Sequence, residues 1–456
     1  MQLPSAFVSQ MQTLIGSDYS DFEAALRQRA PTSIRAHPTK AKQEWSGERV
    51  AWHPTAYYLN KRPIFTLDPS FHAGAYYVQE ASSMFVGEAM RQLVNLNERL
   101  KVLDLCAAPG GKSTLLLSML NEKSFLLSNE VVGSRYAILQ ENLAKWGQSN
   151  VALSNHDPKD FQVLEGFFDV VLVDAPCSGE GLFRKNPKAI KEWSLEVVAH
   201  CAARQKRILA AAQDLVKKGG ILIYCTCTYN GKENDENVKW LKENYDLTSL
   251  QLEVPAAWKI TERQVADCYG YQFFPHRTKG EGFFLTCLRK NDAIVFKTKD
   301  KKKEKSKNRF EKVPKSTLSG FKTFVQISEN YGFLQAQSKH IYAIPKVLQE
   351  DFNTLSQAFR RIHLGTEIGI QKGKSFIPAA PLAMSDLVHP DLPQLALSKE
   401  QALYYLKKLA FEYETHEKGW HWMTYEGSGL GWAKILKHRM NNYYPKNWRI
   451  RMEINH

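Results

Sequence analysis

From about residue 96 the chain alternates short, largely apolar runs with longer segments whose apolar positions recur every three or four residues. The runs at 102–105, 125–128, 151–154, 168–173, 221–224 and 283–288 are too short for helices. They predict strands buried on both faces. The periodic segments between them, notably 113–120, 135–146 and 197–216, predict helices. Strand–helix alternation of this kind predicts an α/β fold: a parallel, doubly wound, Rossmann-like sheet with helices on both faces. The segment 255–282 before the last run has no clean helical period, which leaves the strand at 283–288 free to run antiparallel.

The flanks read differently. Residues 1–95 hold a helical pattern at 22–29, then basic Arg35, Lys40 and Lys42 interleaved with Trp45, Trp52, Tyr57 and Tyr58. Such interleaving suits an accessory domain that grips phosphates and stacks bases, although the same rings would equally serve as the core of a small layer packed on the sheet. Residues 317–456 show short strand-like runs at 333–337, 340–344 and 366–370, a helix at 399–409, and a tail rich in Gly, Trp, Tyr and basic residues. One or two small α+β or β-barrel modules are expected there. Between the sheet domain (96–292) and this region, a linker is expected at 293–316. Its core, 297–315, carries ten Lys or Arg against three acids, a net +7 and half of the chain's +14. Such a run cannot bury a core.

Composition narrows the function classes. The 456 residues are 43% apolar, ordinary for a globular protein. No stretch approaches the roughly 20 apolar residues of a membrane span, and the first residues lack the basic and apolar regions of a signal peptide. The seven cysteines are odd in number and none has the spacing of a zinc or redox motif. A cytoplasmic chain with reduced thiols, no membrane and no metal is expected, acting as a monomer. A net charge of +14 favours a polyanionic partner, nucleic acid first.

Three groups of residues carry chemistry. The first strand runs into Asp104-Leu-Cys106-Ala107-Ala108-Pro109-Gly110-Gly111-Lys112-Ser113, which opens a helix. Small residues admit a ligand close to the backbone, and a helix start offers free N–H groups. The spacing is neither G-x-G-x-x-G nor a Walker loop, which disfavours a nicotinamide oxidoreductase and ATP binding. A nucleoside carrying a charged amino acid, S-adenosylmethionine, fits. Glu130, eighteen residues after Lys112, ends the second strand where an acid grips ribose hydroxyls. Asp157 ends the third, placed to meet an adenine. Cys177, in Asp174-Ala-Pro-Cys-Ser-Gly179, and Cys227, in Tyr224-Cys-Thr-Cys-Thr228, each follow a strand. In an open sheet those positions face the ligand crevice. Cytosine C5 is a poor nucleophile, and a thiolate that adds at C6 activates it. Asp174 would serve as the carboxylate near N3. Position alone leaves Cys177 and Cys227 equivalent.

With these motifs, and with Gln79–Met84, Arg184-Lys185, Trp193, Pro275-His276 and Gly282-Phe-Phe284, the chain resembles the Sun family of RNA (cytosine-5) methyltransferases over about residues 30–290. The resemblance implies that Cys227 is the nucleophile, that Cys177 assists release, and that Cys106–Lys112, Glu130, Asp157 and Asp174 line the cofactor and reaction site. Gly429-Leu-Gly-Trp-Ala-Lys434 and Asn442-Tyr-Tyr-Pro-Lys446 resemble the tail of bacterial 16S rRNA methyltransferases of the F type. That implies a PUA-like RNA-binding module and a substrate in 16S rRNA or the small subunit, near the decoding region. The alternatives are tRNA as substrate, or a catalytically silent RNA-binding assembly factor. Departures from the pattern are His37, Cys225 before Thr-Cys, and Pro158 after Asp157.

Overall fold

The computed structural model describes residues 2–42, 45–265, 267–292, 296, 310–373, 375–415 and 417–454. The basic run lies outside the described residues as far as 309, and so does most of the expected linker. The amino-terminal part has helices Ser5–Ile15 and Tyr19–Arg27, then an antiparallel sheet in which β1 (Thr32–Ala36) lies between β2 (Ala56–Leu59) and β3 (Tyr76–Val78). Phe7, Met11, Phe22 and Leu26 of the helices pack on Phe183, Trp193, Tyr229 and Phe274, side chains that flank both cysteine motifs.

Several of the basic and aromatic residues of this region are buried rather than free to meet a nucleic acid. Arg35 is fully buried, and Trp52 and Tyr58 are buried with it. The Arg35 guanidinium donates to Gln79 Oε1 (3.0 Å), Thr114 Oγ1 (2.6 Å) and Ser118 Oγ (3.1 Å) and lies 4.5 Å over the Trp146 ring. Lys40 donates to the carbonyl of Lys145 at 2.6 Å. Trp52 and Tyr58 join the same core as the catalytic sheet. The small sheet keeps Phe65 and Tyr76 in a core of its own, with Trp45 and Tyr57 packed on it, and gives Trp52 and Tyr58 to its neighbour, where a large ring removes more apolar area than it would on a surface. Lys42 stays exposed.

The main sheet follows the predicted alternation. β4 (Lys101–Asp104), β5 (Phe125–Asn129), β6 (Val151–Ser154), β7 (Phe168–Asp174) and β8 (Val216–Thr226) are parallel, in the order β8-β7-β4-β5-β6. Successive residues serve opposite faces: Val102, Leu126, Val170, Leu172, Ile221 and Ile223 enter one core, and Leu103, Leu127, Val171, Val173, Leu222 and Tyr224 the other. Helix Leu195–Leu215 covers the second face. It starts where Ser194 accepts from Val197 N, and β8 begins directly after it, longer than its apolar run because Lys217 and Lys218 extend it over solvent.

Both edges are extended. β9 (Leu247–Ser249) and the hairpin β10 (Thr261–Val265) and β11 (Cys268–Phe273) flank β12 (Phe283–Lys290), and β12 runs antiparallel to β8. On the other edge, the strand Ile362–Leu364 from the carboxyl-terminal part pairs antiparallel with β6. Leu348, Phe352, Phe359 and Leu364 complete the second core. The carboxyl-terminal part thus contributes to the main sheet, then forms its own five-stranded and four-stranded sheets. Helix Lys399–Lys407 starts at a capping box of Ser398 and Gln401. The first strand, β4, lies between β5 and β7, so the connections leave to opposite sides there. Ligands bind such sheets at that switch point, past the carboxyl ends of the strands.

Candidate active site

Asp104, Asp174 and Cys225–Cys227 end β4, β7 and β8 side by side at the switch point. The Pro-Cys and Thr-Cys segments converge there, and Cys177 Sγ lies 3.0 Å from Cys227 Sγ, both half-buried. The thiol of Cys177 is raised well above the usual range, first by its hydrogen bond to Cys227 and then by burial. Gly181 permits the approach: its N–H donates to the Cys227 carbonyl at 2.9 Å, and a Cβ there would fall 2.5 Å from the Gly282 carbonyl oxygen.

Asp174 faces two partners. Lys112 donates to its Oδ2 at 2.8 Å, and the Cys225 thiol lies 3.6 Å from Oδ1. Burial opposes the charge on Lys112, but Asp174 and the neighbouring thiols outweigh it, and the ammonium is held above the usual lysine range. The Cys225 thiol is raised, first by burial and then by Asp174.

The loop between β4 and helix Gly111–Leu117 turns on Gly110, whose φ of 111° disfavours any residue with a side chain. Its acceptors are occupied: Arg135 takes the Ala108 carbonyl (2.6 Å) and Asn142 that of Pro109 (2.8 Å). Beside the loop, Asp104 Oδ2 accepts from Ser113 at 2.7 Å, while the buried Oδ1 has no partner. Burial pushes the Asp104 carboxyl up to about 7, against the opposing bond from Ser113. A buried carboxylate oxygen left unpaired beside a small-residue loop asks for a cationic donor from outside the chain.

The family described as 16S rRNA methyltransferase RsmB/F matches residues 91–289. The N-terminal domain of 16S rRNA methyltransferase RsmF matches 3–81, and the methyltransferase RsmF PUA domain matches 393–450. The ribosomal RNA small subunit methyltransferase F of Citrobacter koseri is 30% identical, over 97% of this chain and 96% of its own. The protein of the same name from Escherichia coli O9:H4 is 34% identical over 64% of each chain. The chain belongs to the RsmB/F methyltransferase family. A solved methyltransferase homologue from Pyrococcus horikoshii is 25% identical with a TM-score of 0.53, covering 63% of this chain and 95% of its own. NSun6 from the same organism, at 19% identity and a TM-score of 0.54, shares the fold.

Within this RsmB/F methyltransferase, the expected site residues fall into two groups. Cys106–Lys112, Asp174, Cys177 and Cys227 gather at the switch point. Glu130 lies at the end of β5, but its carboxylate accepts from Val132 N (2.9 Å) and faces Arg135 (3.4 Å). Asp157 stands at the end of β6, where it caps the turn at Lys159 N and is held by Arg207 at 2.9 Å. Partial burial would raise its carboxyl, but those bonds hold it below the usual range. Both acids therefore already have protein partners. The sequence places Asp104 in the loop motif but gives it no separate role, although a polar end on a buried strand was the available signal. Sequence reasoning passed over Glu180 and Glu233, buried carboxylates without a recognisable pattern. Among the described residues, no cluster of three or more His, Cys, Asp or Glu could hold a metal ion, and no helix is long and apolar enough to cross a membrane.

Proposed function

We propose that this methyltransferase adds a methyl group to C5 of a cytosine in 16S rRNA, with S-adenosylmethionine as donor. The observation that carries the reading is the thiol pair Cys177–Cys227 beside the Asp174–Lys112 pair at the switch point. The loop Cys106–Lys112 and the unpaired Asp104 Oδ1 fit the amino-acid end of S-adenosylmethionine, with Asp104 facing its ammonium and Glu130 and Asp157 nearer the nucleoside. When bound, that cofactor supplies an electrophilic methyl group.

The chain's own residues supply the rest. Cys227, as thiolate, adds to C6 of the ring, and the electron pair displaced toward C5 makes that carbon nucleophilic. Asp174, placed near N3, shares a proton as charge builds on the ring, and Lys112 keeps the pair electrically balanced. After C5 is methylated its proton passes to a solvent base, the C5–H electron pair forms the C5=C6 bond, and Cys227 leaves C6 as a thiolate, restoring the aromatic ring. Cys177, 3.0 Å away, is positioned to assist that release.

The target base must be turned out of its stack to reach Cys227, at a cost of a few kcal/mol. Binding energy for this comes from phosphate contacts. A cleft of about 360 Å³ between the amino-terminal part and the catalytic part is lined by the exposed Arg29, Arg62 and Lys279. The residues matching the PUA domain supply a second RNA contact. Incubating the purified protein with methyl-labelled S-adenosylmethionine and either 16S rRNA or tRNA tests the reading: label at cytosine C5 of 16S rRNA supports it, and label in tRNA alone overturns it.

A further inference from the structure

We propose that Glu180 and Glu233 are positioning residues that hold the Cys177 and Cys227 loops in register, so that the spacing of the two thiols depends on a crossed pair of buried carboxylates. The inference rests on the two-thiol reading above and extends it to residues outside the reacting group.

Glu180 sits on the Cys177 loop and reaches across to the Cys227 loop. Its Oε2 accepts from Thr228 Oγ1 (2.6 Å), Tyr229 N (2.9 Å) and Asn230 N (3.0 Å). Its Oε1 accepts from Trp193 Nε1 (3.0 Å), Asn230 Nδ2 (3.0 Å) and Gln10 Nε2 (3.2 Å). Glu233 sits just past Cys227 and reaches the opposite way: its Oε2 accepts from Ser178 N (3.0 Å) and Gln205 Nε2 (2.7 Å). Gln205 also holds the Pro176 carbonyl at 3.1 Å. One side-chain amide ties the two acids together, because Asn230 Nδ2 donates to Glu180 Oε1 and, at 2.7 Å, to Glu233 Oε1.

Both carboxylates are completely buried, and both face neutral N–H and O–H donors. A buried acid met only by neutral donors is costly unless every lone pair is used. Six donors on Glu180 satisfy that condition, and each bond is charge-assisted and directional. The residues bonded are neighbours of the thiols: Thr228 adjoins Cys227 and Ser178 adjoins Cys177. Rigidity is therefore concentrated where two sulfurs must keep one geometry relative to a base. Displacement of about 1 Å in such a site costs on the order of 10²-fold in rate.

Glu180→Gln is the informative variant, because its amide must turn one NH₂ group toward donors whichever way it lies. Thr228→Val removes one hydroxyl without changing shape, and Thr228→Ser restores it. The readouts are kcat, the dissociation constants of cofactor and 16S rRNA, and the rate at which diamide closes Cys177 and Cys227. In that closure the two thiols are oxidised to a disulfide while the diazene is reduced to its hydrazine, and peptide mapping by mass spectrometry follows it. Glu180→Gln should lower kcat about 10²-fold, leave both dissociation constants within about twofold, and slow closure about tenfold. Thr228→Val should act in the same direction about tenfold, with Thr228→Ser near wild type; that series decides the matter if Glu180→Gln does not fold. Wild-type kcat in Thr228→Val, or a lowered kcat with unchanged closure, overturns the proposal. Wild-type methylation by Cys227→Ala instead overturns the two-thiol reading, and closure rates would still report on the brace.

Discussion

Cys177 and Cys227 are separated by fifty residues of chain, yet their sulfurs lie 3.0 Å apart. Hydrogen bonding to Cys227 and burial both favour the protonated form of Cys177. Thiolates, not thiols, are alkylated. Limited treatment with iodoacetamide near pH 7.5 should therefore label Cys227 well before Cys177 in peptide mapping. The reverse order would remove the basis for giving the two thiols different roles.

Arg35 is the residue whose placement differs most from its sequence reading. Buried and bonded to Gln79, Thr114 and Ser118, it braces the helix that follows the glycine loop. Arg35→Ala should cost about 2–4 kcal/mol of stability in urea unfolding, as for other disruptions of a buried network. It should also weaken S-adenosylmethionine binding without altering the salt dependence of RNA binding. A reduced salt slope at unchanged stability would return Arg35 to the RNA surface.

Asp104 should make cofactor binding pH-dependent. Its folded-state pKa, pushed up to about 7, stands above the ordinary carboxylate value, so the folded state without cofactor binds the extra proton. Its ionisation therefore subtracts stability progressively as pH rises from about 4 to about 7. An ammonium at Oδ1 would favour the ionised form, so affinity should rise with pH up to about 7 and then level off. Titration calorimetry near pH 6.5 in two buffers of different ionisation enthalpy should show proton release. Asp104→Asn should flatten the pH profile; an unchanged profile in that variant would exclude the assignment.

The basic cleft gives an independent test of the RNA-binding surface. Arg29 and Arg62 are exposed and line it. Replacing each by Ala should weaken 16S rRNA binding and lower the slope of log affinity against log salt by about 1 for each phosphate that the arginine neutralises. Wild-type slopes in both variants would place the RNA elsewhere.

The catalytic sheet was legible because buried parallel strands leave apolar runs of a fixed length, and each run at 102–105, 125–128, 151–154 and 168–173 coincides with a strand to within a residue. The thiols and the glycine loop were legible because strand ends carry the chemistry in such sheets. Other features had no local signature. Helix Ser5–Ile15 buries Phe7 and Met11 alone, too few to set a period. Arg35 looked like a surface cation because nothing nearby in sequence marks its partners, which lie 44 to 83 residues away. The edge strand Ile362–Leu364 is only three residues long, and its partner β6 lies far back in the chain. Glu180 looked like an ordinary loop acid, since its donors come from Gln10, Trp193 and the run Thr228–Asn230, all remote in sequence.

The central claim is that Cys227 attacks the base and Cys177 frees it. The direct measurement is to incubate Cys177→Ala with 16S rRNA and S-adenosylmethionine, then digest and sequence any covalent peptide–nucleotide product by mass spectrometry. A denaturant-resistant, protease-sensitive adduct in which Cys227 is joined to a methylated cytosine is the predicted result, absent in the Cys177→Ala/Cys227→Ala double variant. An adduct through another residue, or wild-type methylation by Cys227→Ala, would contradict it.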